Sequence, residues 1–202
     1  QSIFQYIDTP AGGSGEEEFV FSDGVVVSGQ VAGGSGSDTI DFSAASVGIV
    51  FDLDLVGSPQ PVFTSANLTL GDAIENAVGS PQDDWIQVRL LSVPRQIDGG
   101  SETAGDVLEI DSVQADIDVS SPTISAVGFG TITHNDVETI RVTNTNSISV
   151  DATVADVGDT VADEFQIVRQ AGDVIVSVNS QQALITPYDA SLHLIIDGSS
   201  DD

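Results

Sequence analysis

Short runs of alternating apolar and polar residues recur along the chain, separated by turns rich in Gly, Ser and Asp. They include EFVF (18–21), VVVSGQV (25–31), TIDF (39–42), GIVFDLDL (48–55), WIQVRLL (85–91), VLEI (107–110) and ADIDV (115–119). The pattern continues through 123–132, ETIRV (138–142), SISV (147–150), EFQIV (164–168), DVIVSV (173–178) and SLHLII (191–196). A period of two is what a strand with one buried face requires, so these runs predict β-strands. GDAIENAV (71–78) is the one stretch with helical spacing, and it supplies a turn or two at most.

Acidic glycine turns precede the strands: GGSGEEEF (12–19), GGSGSDTI (33–40), GSPQDDWI (79–86), GGSETAGDVLEI (99–110) and VGDTVADEFQI (157–167). A turn-plus-strand unit returning every ~20 residues, with irregular insertions, points to an all-β, parallel and right-handed β-solenoid over residues 1–202, each strand stacking on its counterpart in the next coil. An antiparallel β-sandwich is the alternative. EFQIVRQAGDVIVSV (164–178) carries an Ala-Gly break between two alternating runs, as an ordinary hairpin does. Phe19, Phe21, Phe42, Phe51 and Phe165 fall at strand positions and read as stacked core aromatics.

Composition agrees with strands and limits the partners. Hydrophobic residues are 40% of the 202, enough for a core, and Val and Ile dominate them. Asp and Glu number 32 against 4 Lys and Arg, for a formal net charge of −28. All four cations are arginines: Arg89, Arg95, Arg141 and Arg169. Nucleic acid and anionic membrane surfaces both need a cationic footprint, which is lacking, and no apolar run is long enough to insert as a membrane-spanning helix. Such self-repulsion is best tolerated in salt, with bound cations, or on an elongated shape.

Cysteine and methionine are absent, and the first residue is Gln1. With DGSSDD (197–202) at the other end, which opens a further acidic turn, the chain reads as a segment or processed product of a longer secreted protein.

Catalytic signatures are missing. There is no Gly-x-Ser-x-Gly elbow, P-loop or His-Glu-x-x-His sequence. Asp83-Asp84 before Trp85 resembles the acid pair of solenoid glycosidases, but the Gly-His-Gly and Arg-x-Lys segments that accompany it there are lacking; a plain turn with Trp85 packed in the core or capping an end is favoured. His193 sits in an alternating run and reads as a surface or strand residue. His134 lies in a turn-like Thr-His-Asn-Asp stretch, where it could accompany Asp136 at a metal. Asn67-Leu68-Thr69 is a formal glycosylation acceptor. The chain is read as not being an enzyme.

GGSGSDTID (33–41) matches the nonapeptide G-G-x-G-x-D-x-U-x of repeats-in-toxin (haemolysin-type) calcium β-rolls. Around it, residues 19–54 resemble the repeat of very large bacterial secreted and surface proteins, such as those of planctomycetes and cyanobacteria. IENAVGSPQDDWIQV (74–88), GFGTITHNDVETIRV (128–142) and ADEFQIVRQAGDVIVSVN (162–179) are similar to further segments of the same proteins. The resemblance implies a calcium-binding corner with Gly33, Ser35 and Asp38 on the ligand side and Ile40 in the core. Glu17 stands where the earlier copy should have aspartate. Glycine-turn carbonyls around a carboxylate suit the oxygen-rich shell of calcium. A solvated structural turn is the other reading of this corner, and a solvated edge is favoured for the Glu16–Glu18 run.

These features predict a structural, adhesin-like, matrix or filament-forming module at the cell surface or outside the cell, with calcium as a candidate stabilising ion. Its expected partners are other copies or neighbouring domains, end to end, and cell-surface polysaccharide. The alternative is a calcium-dependent carbohydrate-binding, or carbohydrate-active, β-helix domain.

Overall fold

The computed structural model describes residues 6–7, 10–23, 25–63, 66–101, 105–120, 122–151, 165–170, 173–178, 181–187 and 193–197. Among them the secondary structure is all β, with no α-helix. The chain forms β1 (Tyr6–Ile7), β2 (Glu18–Ser22), β3 (Val26–Val27), β4 (Thr39–Ala44), β5 (Val50–Asp52), β6 (Pro59–Phe63), β7 (Ala66–Thr69), β8 (Asn76–Val78), β9 (Trp85–Arg89) and β10 (Arg95–Asp98). It continues with β11 (Val107–Asp111), β12 (Asp116–Ser120), β13 (Thr123–Ala126), β14 (Ile132–Asn135), β15 (Thr139–Thr143), β16 (Ser147–Asp151), β17 (Phe165–Gln170), β18 (Asp173–Val178), β19 (Gln181–Pro187) and β20 (His193–Asp197).

Two large open sheets result. A nine-stranded sheet has the order β2-β4-β8-β10-β14-β13-β12-β16-β20, and a seven-stranded sheet has the order β17-β18-β19-β15-β11-β9-β5. Most neighbours are parallel. In the second sheet, Val50, Trp85, Val107 and Thr139 stand opposite one another on successive parallel strands, although 22 to 35 residues of sequence separate neighbours. β2, β4, β8, β10 and β14 pair in the same parallel sense in the first sheet. Antiparallel pairing occurs at β12-β13-β14, at β6-β7 and in the β17-β18-β19 meander, so both sheets are mixed. The β17-β18 pair is the hairpin that the alternating runs flanking Ala-Gly predict. The 71–78 stretch contains no helical turn and ends in β8. Its Ala77 is buried between Ile40 and Ile97 on the flanking strands, an apolar column that only an extended chain can complete.

Alternation places the core. In β9 and β11 the even-numbered Ile86, Val88, Leu108 and Ile110 are buried, while Trp85, Gln87, Arg89, Val107, Glu109 and Asp111 lie on the other face. Because register is parallel, like residues stack: Phe51, Ile86, Leu108 and Ile140 form one inward column. Each such side chain taken from water contributes about 1.5–3 kcal/mol. Both sheets feed one cluster, whose aromatic part is Phe42 packed at 5.7 Å from Phe21, 5.2 Å from Phe51 and 6.1 Å from Phe63. Phe63 joins this group from outside the runs that alternate. The side chain of Phe165 lies outside the described residues.

One core position is occupied by a charge. Arg95 of β10 faces inward beside Ile97 and is 1% exposed, and its Nη2 meets Asp54 Oδ1 at 2.6 Å.

Candidate functional site

The two glycine-rich turns stack directly on one another. Gly12 N–H donates to Ala32 O at 2.7 Å, Ser35 N–H donates to Gly13 O at 2.9 Å and Thr39 N–H donates to Glu17 O at 2.8 Å. Glycine is needed where the turns touch: a Cβ on Gly34, whose φ is +96°, would collide with the Gly13 carbonyl, and one on Gly33 with the Asp38 carboxylate. Gly33, Asp38 and Glu17 are thus brought together. Ser35 is exposed beside them, and Ile40 is fully buried, on the inward side that the nonapeptide resemblance implies.

The carboxylates here do a defined job. Asp38 Oδ1 accepts the backbone N–H of Glu17 at 2.9 Å, and Asp38 N–H donates in turn to Glu75 Oε2 at 2.9 Å. The same relay repeats in the other sheet. Asp84 Oδ1 accepts Ile49 N–H at 2.6 Å, Asp84 N–H donates to Asp106 Oδ1 at 2.8 Å, and Asp106 N–H donates to Glu138 Oε2 at 2.9 Å. Each acid stands immediately before a strand and caps the equivalent N–H of the preceding strand. Asp38, Asp84 and Asp106 are almost fully buried, at 1%, 3% and 1% exposure. A buried carboxylate is tolerated when N–H donors satisfy it, which here offsets the repulsion between stacked like charges. Sequence reasoning singled out Asp38 and Glu17 and passed over Glu75, Asp106 and Glu138; the signal that would have found them is an acid directly ahead of each strand. Asp84, read as part of a plain turn, is a buried member of the second file.

The corner meets part of what calcium needs. Asp38 Oδ2 is a buried oxygen with no hydrogen-bond partner, so a cation could add a bond there. Other donors are engaged: Glu17 Oε2 accepts Gly13 N–H at 2.9 Å, and Asp72 accepts Gly33 N–H at 2.7 Å and Gly34 N–H at 3.1 Å. Among the described residues, no group of three or more His, Asp or Glu side chains is arranged to hold a metal ion.

The remaining candidates separate. Glu16 and Glu18 are exposed, as a solvated edge requires. Trp85, 37% exposed, is on the outward face of β9 rather than in the core, because Asp84 takes the inward position before it. His134 belongs to β14 instead of a turn. It lies in the inward column with Ala77 and Ile97, is 6% exposed, and burial holds its pKa below the usual 6.5. His193 begins β20, with its side chain outside the described residues. Asn67 lies in β7 and is exposed.

A polar depression of about 400 Å³ occupies the outward face of the seven-stranded sheet, lined among others by Asp52, Asp54, Gln87, Arg89, Glu109 and Asp111. The side chains tie one another down. Gln87 Nε2 donates to Glu109 Oε1 at 3.2 Å, Arg141 Nε lies 3.1 Å from Glu109 Oε2, and Arg89 Nε lies 3.3 Å from Asp111 Oδ2. Partial burial raises the pKa of Asp111, but the Asn144 amide, the Val113 N–H and the Arg89 guanidinium outweigh it and hold the carboxyl below its usual 3.8. Three of the four arginines therefore reach this one face, Arg95 from behind through Asp54.

No family model matches the chain, and no match to it is found among curated proteins.

Proposed function

We propose that the chain is a structural module of a secreted or cell-surface protein, its coils stacked as a right-handed parallel β-solenoid that associates end to end with copies of itself or with neighbouring domains. The observation that carries this reading is the directional stacking of turn on turn and acid on acid, with equivalent residues in register across β5, β9, β11 and β15. A relay in which each acid caps the coil before it has an open end by construction. At the β5 end, Ile49 takes the place of the acid. The described β2 and β5 also close their sheets as edge strands, which favour pairing with another chain. Adhesion or matrix building is the role such an elongated, highly acidic surface fits, in a saline exterior that screens it.

Calcium belongs to the same proposal. Gly33, Ser35, Asp38 and Glu17 are the residues that would hold it, through the unpartnered Asp38 Oδ2 and turn carbonyls, where its charge would neutralise repulsion between acidic coils. Sedimentation velocity over a wide concentration range tests association, and thermal melts with millimolar calcium or with chelator test the metal. The expected result is a sedimentation coefficient that rises with concentration, and a melting temperature that rises with calcium as binding to the folded state requires. A single monomeric species at every concentration refutes association. An unchanged melting temperature removes calcium.

A further inference from the structure

The outward face of the seven-stranded sheet carries two kinds of column side by side. One is apolar and exposed: Val50 at 60% and Trp85 at 37%, followed in register by the half-buried Val107. Two residues further along each strand runs a polar column of Asp52, Gln87, Glu109 and Arg141. Two residues beyond that, Arg89 and Asp111 close the depression. From the Trp85 position to the Arg89 position is about 13 Å along the strand.

We propose that this face binds a neutral hexose oligosaccharide lying across the strands. Parallel register repeats each side-chain position every ~4.8 Å, close to the length of one sugar ring, so successive strands can present one contact apiece to successive rings. The polar column mixes carboxylate acceptors with amide and guanidinium donors, as vicinal hydroxyls require. Its internal bonds fix these groups before a ligand arrives, so little ordering is lost on binding. Trp85 offers an aromatic surface with a polar handle, suited to the apolar face of a sugar ring. The volume, about 400 Å³, falls within the range of about 300–1,000 Å³ common to small-molecule sites.

Charge selects the class of sugar. Asp52, Asp54, Glu109 and Asp111 outnumber the arginines here, and Glu109 and Asp54 already pair with Arg141 and Arg95. Uronates and sulfated sugars would be repelled by this face and by a chain of net charge −28. The inference uses the parallel columns but not end-to-end association, so either can fail without the other.

Trp85 is the only tryptophan in the chain and therefore reports on its own site. Its emission is followed while hexasaccharides of glucose, mannose or galactose are added, with a hexagalacturonate and a chitosan hexamer as charged controls. The expected result is saturable binding of at least one neutral hexasaccharide, little changed by salt, with affinity reduced about tenfold or more by Gln87→Ala and, in calorimetry, by Trp85→Ala. Circular dichroism melts of both variants should match the parent, since neither side chain is in the core. Absence of binding by all three neutral sugars overturns the proposal. So does binding that both variants retain, or preference for a charged control that disappears in salt.

Discussion

Removing Asp54 should cost far more than removing the arginine it neutralises. The Arg95 guanidinium is 1% exposed, and its Nε and Nη1 have no hydrogen-bond partner, so the 2.6 Å contact from Nη2 to Asp54 Oδ1 is its only ion pair among the described residues. Asp54→Ala leaves that cation buried and uncompensated, a change worth about 3–5 kcal/mol. The second bond of Asp54, from Arg89 N–H to Oδ2 at 2.6 Å, is exposed, and water replaces it cheaply. Arg95→Met behaves differently. The new side chain fills apolar space, while Asp54, with 15% of its side chain exposed, keeps the Arg89 N–H and regains water; a loss of about 1–2 kcal/mol is expected. In the double variant the buried charge is gone, so its stability should lie near that of Arg95→Met, which makes the coupling between the sites as large as the cost of Asp54→Ala alone, about 3–5 kcal/mol. Urea unfolding of the four proteins, followed by far-UV circular dichroism, measures all three differences. Equal costs for the two single variants, or additive costs in the double, would refute a buried ion pair as the organising contact there.

Other expected outcomes follow from the acid relay and the inward column. Asp84→Ala should destabilise by about 3 kcal/mol in the same assay, because the N–H groups of Ile49 and Ser80 and the Ser80 hydroxyl lose their acceptor; a loss below about 1 kcal/mol would contradict the capping role. Gly33→Ala drives a Cβ into the Asp38 carboxylate and should cost about 1–3 kcal/mol, while displacing the Glu17 N–H bond in amide exchange. His134 is held neutral by burial, with a folded pKa below the 6.5 of the free side chain. The unfolded chain therefore binds the proton first, so the contribution of His134 is fully present above 6.5 and is lost as pH falls through the folded pKa. Stability of the parent relative to His134→Leu should drop as pH goes from 8 to 5; a flat difference rules the burial effect out.

Much of the fold is legible in the sequence because alternation marks most strands. β2, β4, β9, β11, β15 and β18 begin within a residue of where their runs begin. Failures have identifiable causes. The 123–132 run divides into β13 and β14 because Gly128 turns the chain with a φ of +89°, a break that its apolar neighbours hide. β10 escapes notice because its inward position holds Arg95, which no apolar pattern can signal. Insertions also vary, so the partner of Val50 is Trp85 across 35 residues while that of Trp85 is Val107 across 22. Gly33, Asp38 and Glu17 could be grouped in advance, since their turns are near copies. Asp106 and Glu138 are each marked only by standing ahead of a strand; their turns share no motif, so their place in one file emerges only from the register. The outward face is invisible for the same reason: Asp52, Gln87 and Glu109 become neighbours only through register.

The central claim is that turn-and-strand units lie in parallel, in register, one upon another. Cross-strand nuclear Overhauser effects in isotopically labelled protein test it most directly. The account predicts amide-to-Hα contacts linking Val50 with Trp85, Trp85 with Val107, and Val107 with Thr139, in the slanted order of parallel ladders. Strong Hα-to-Hα contacts between opposed residues of these strands, the mark of antiparallel pairs, would contradict it.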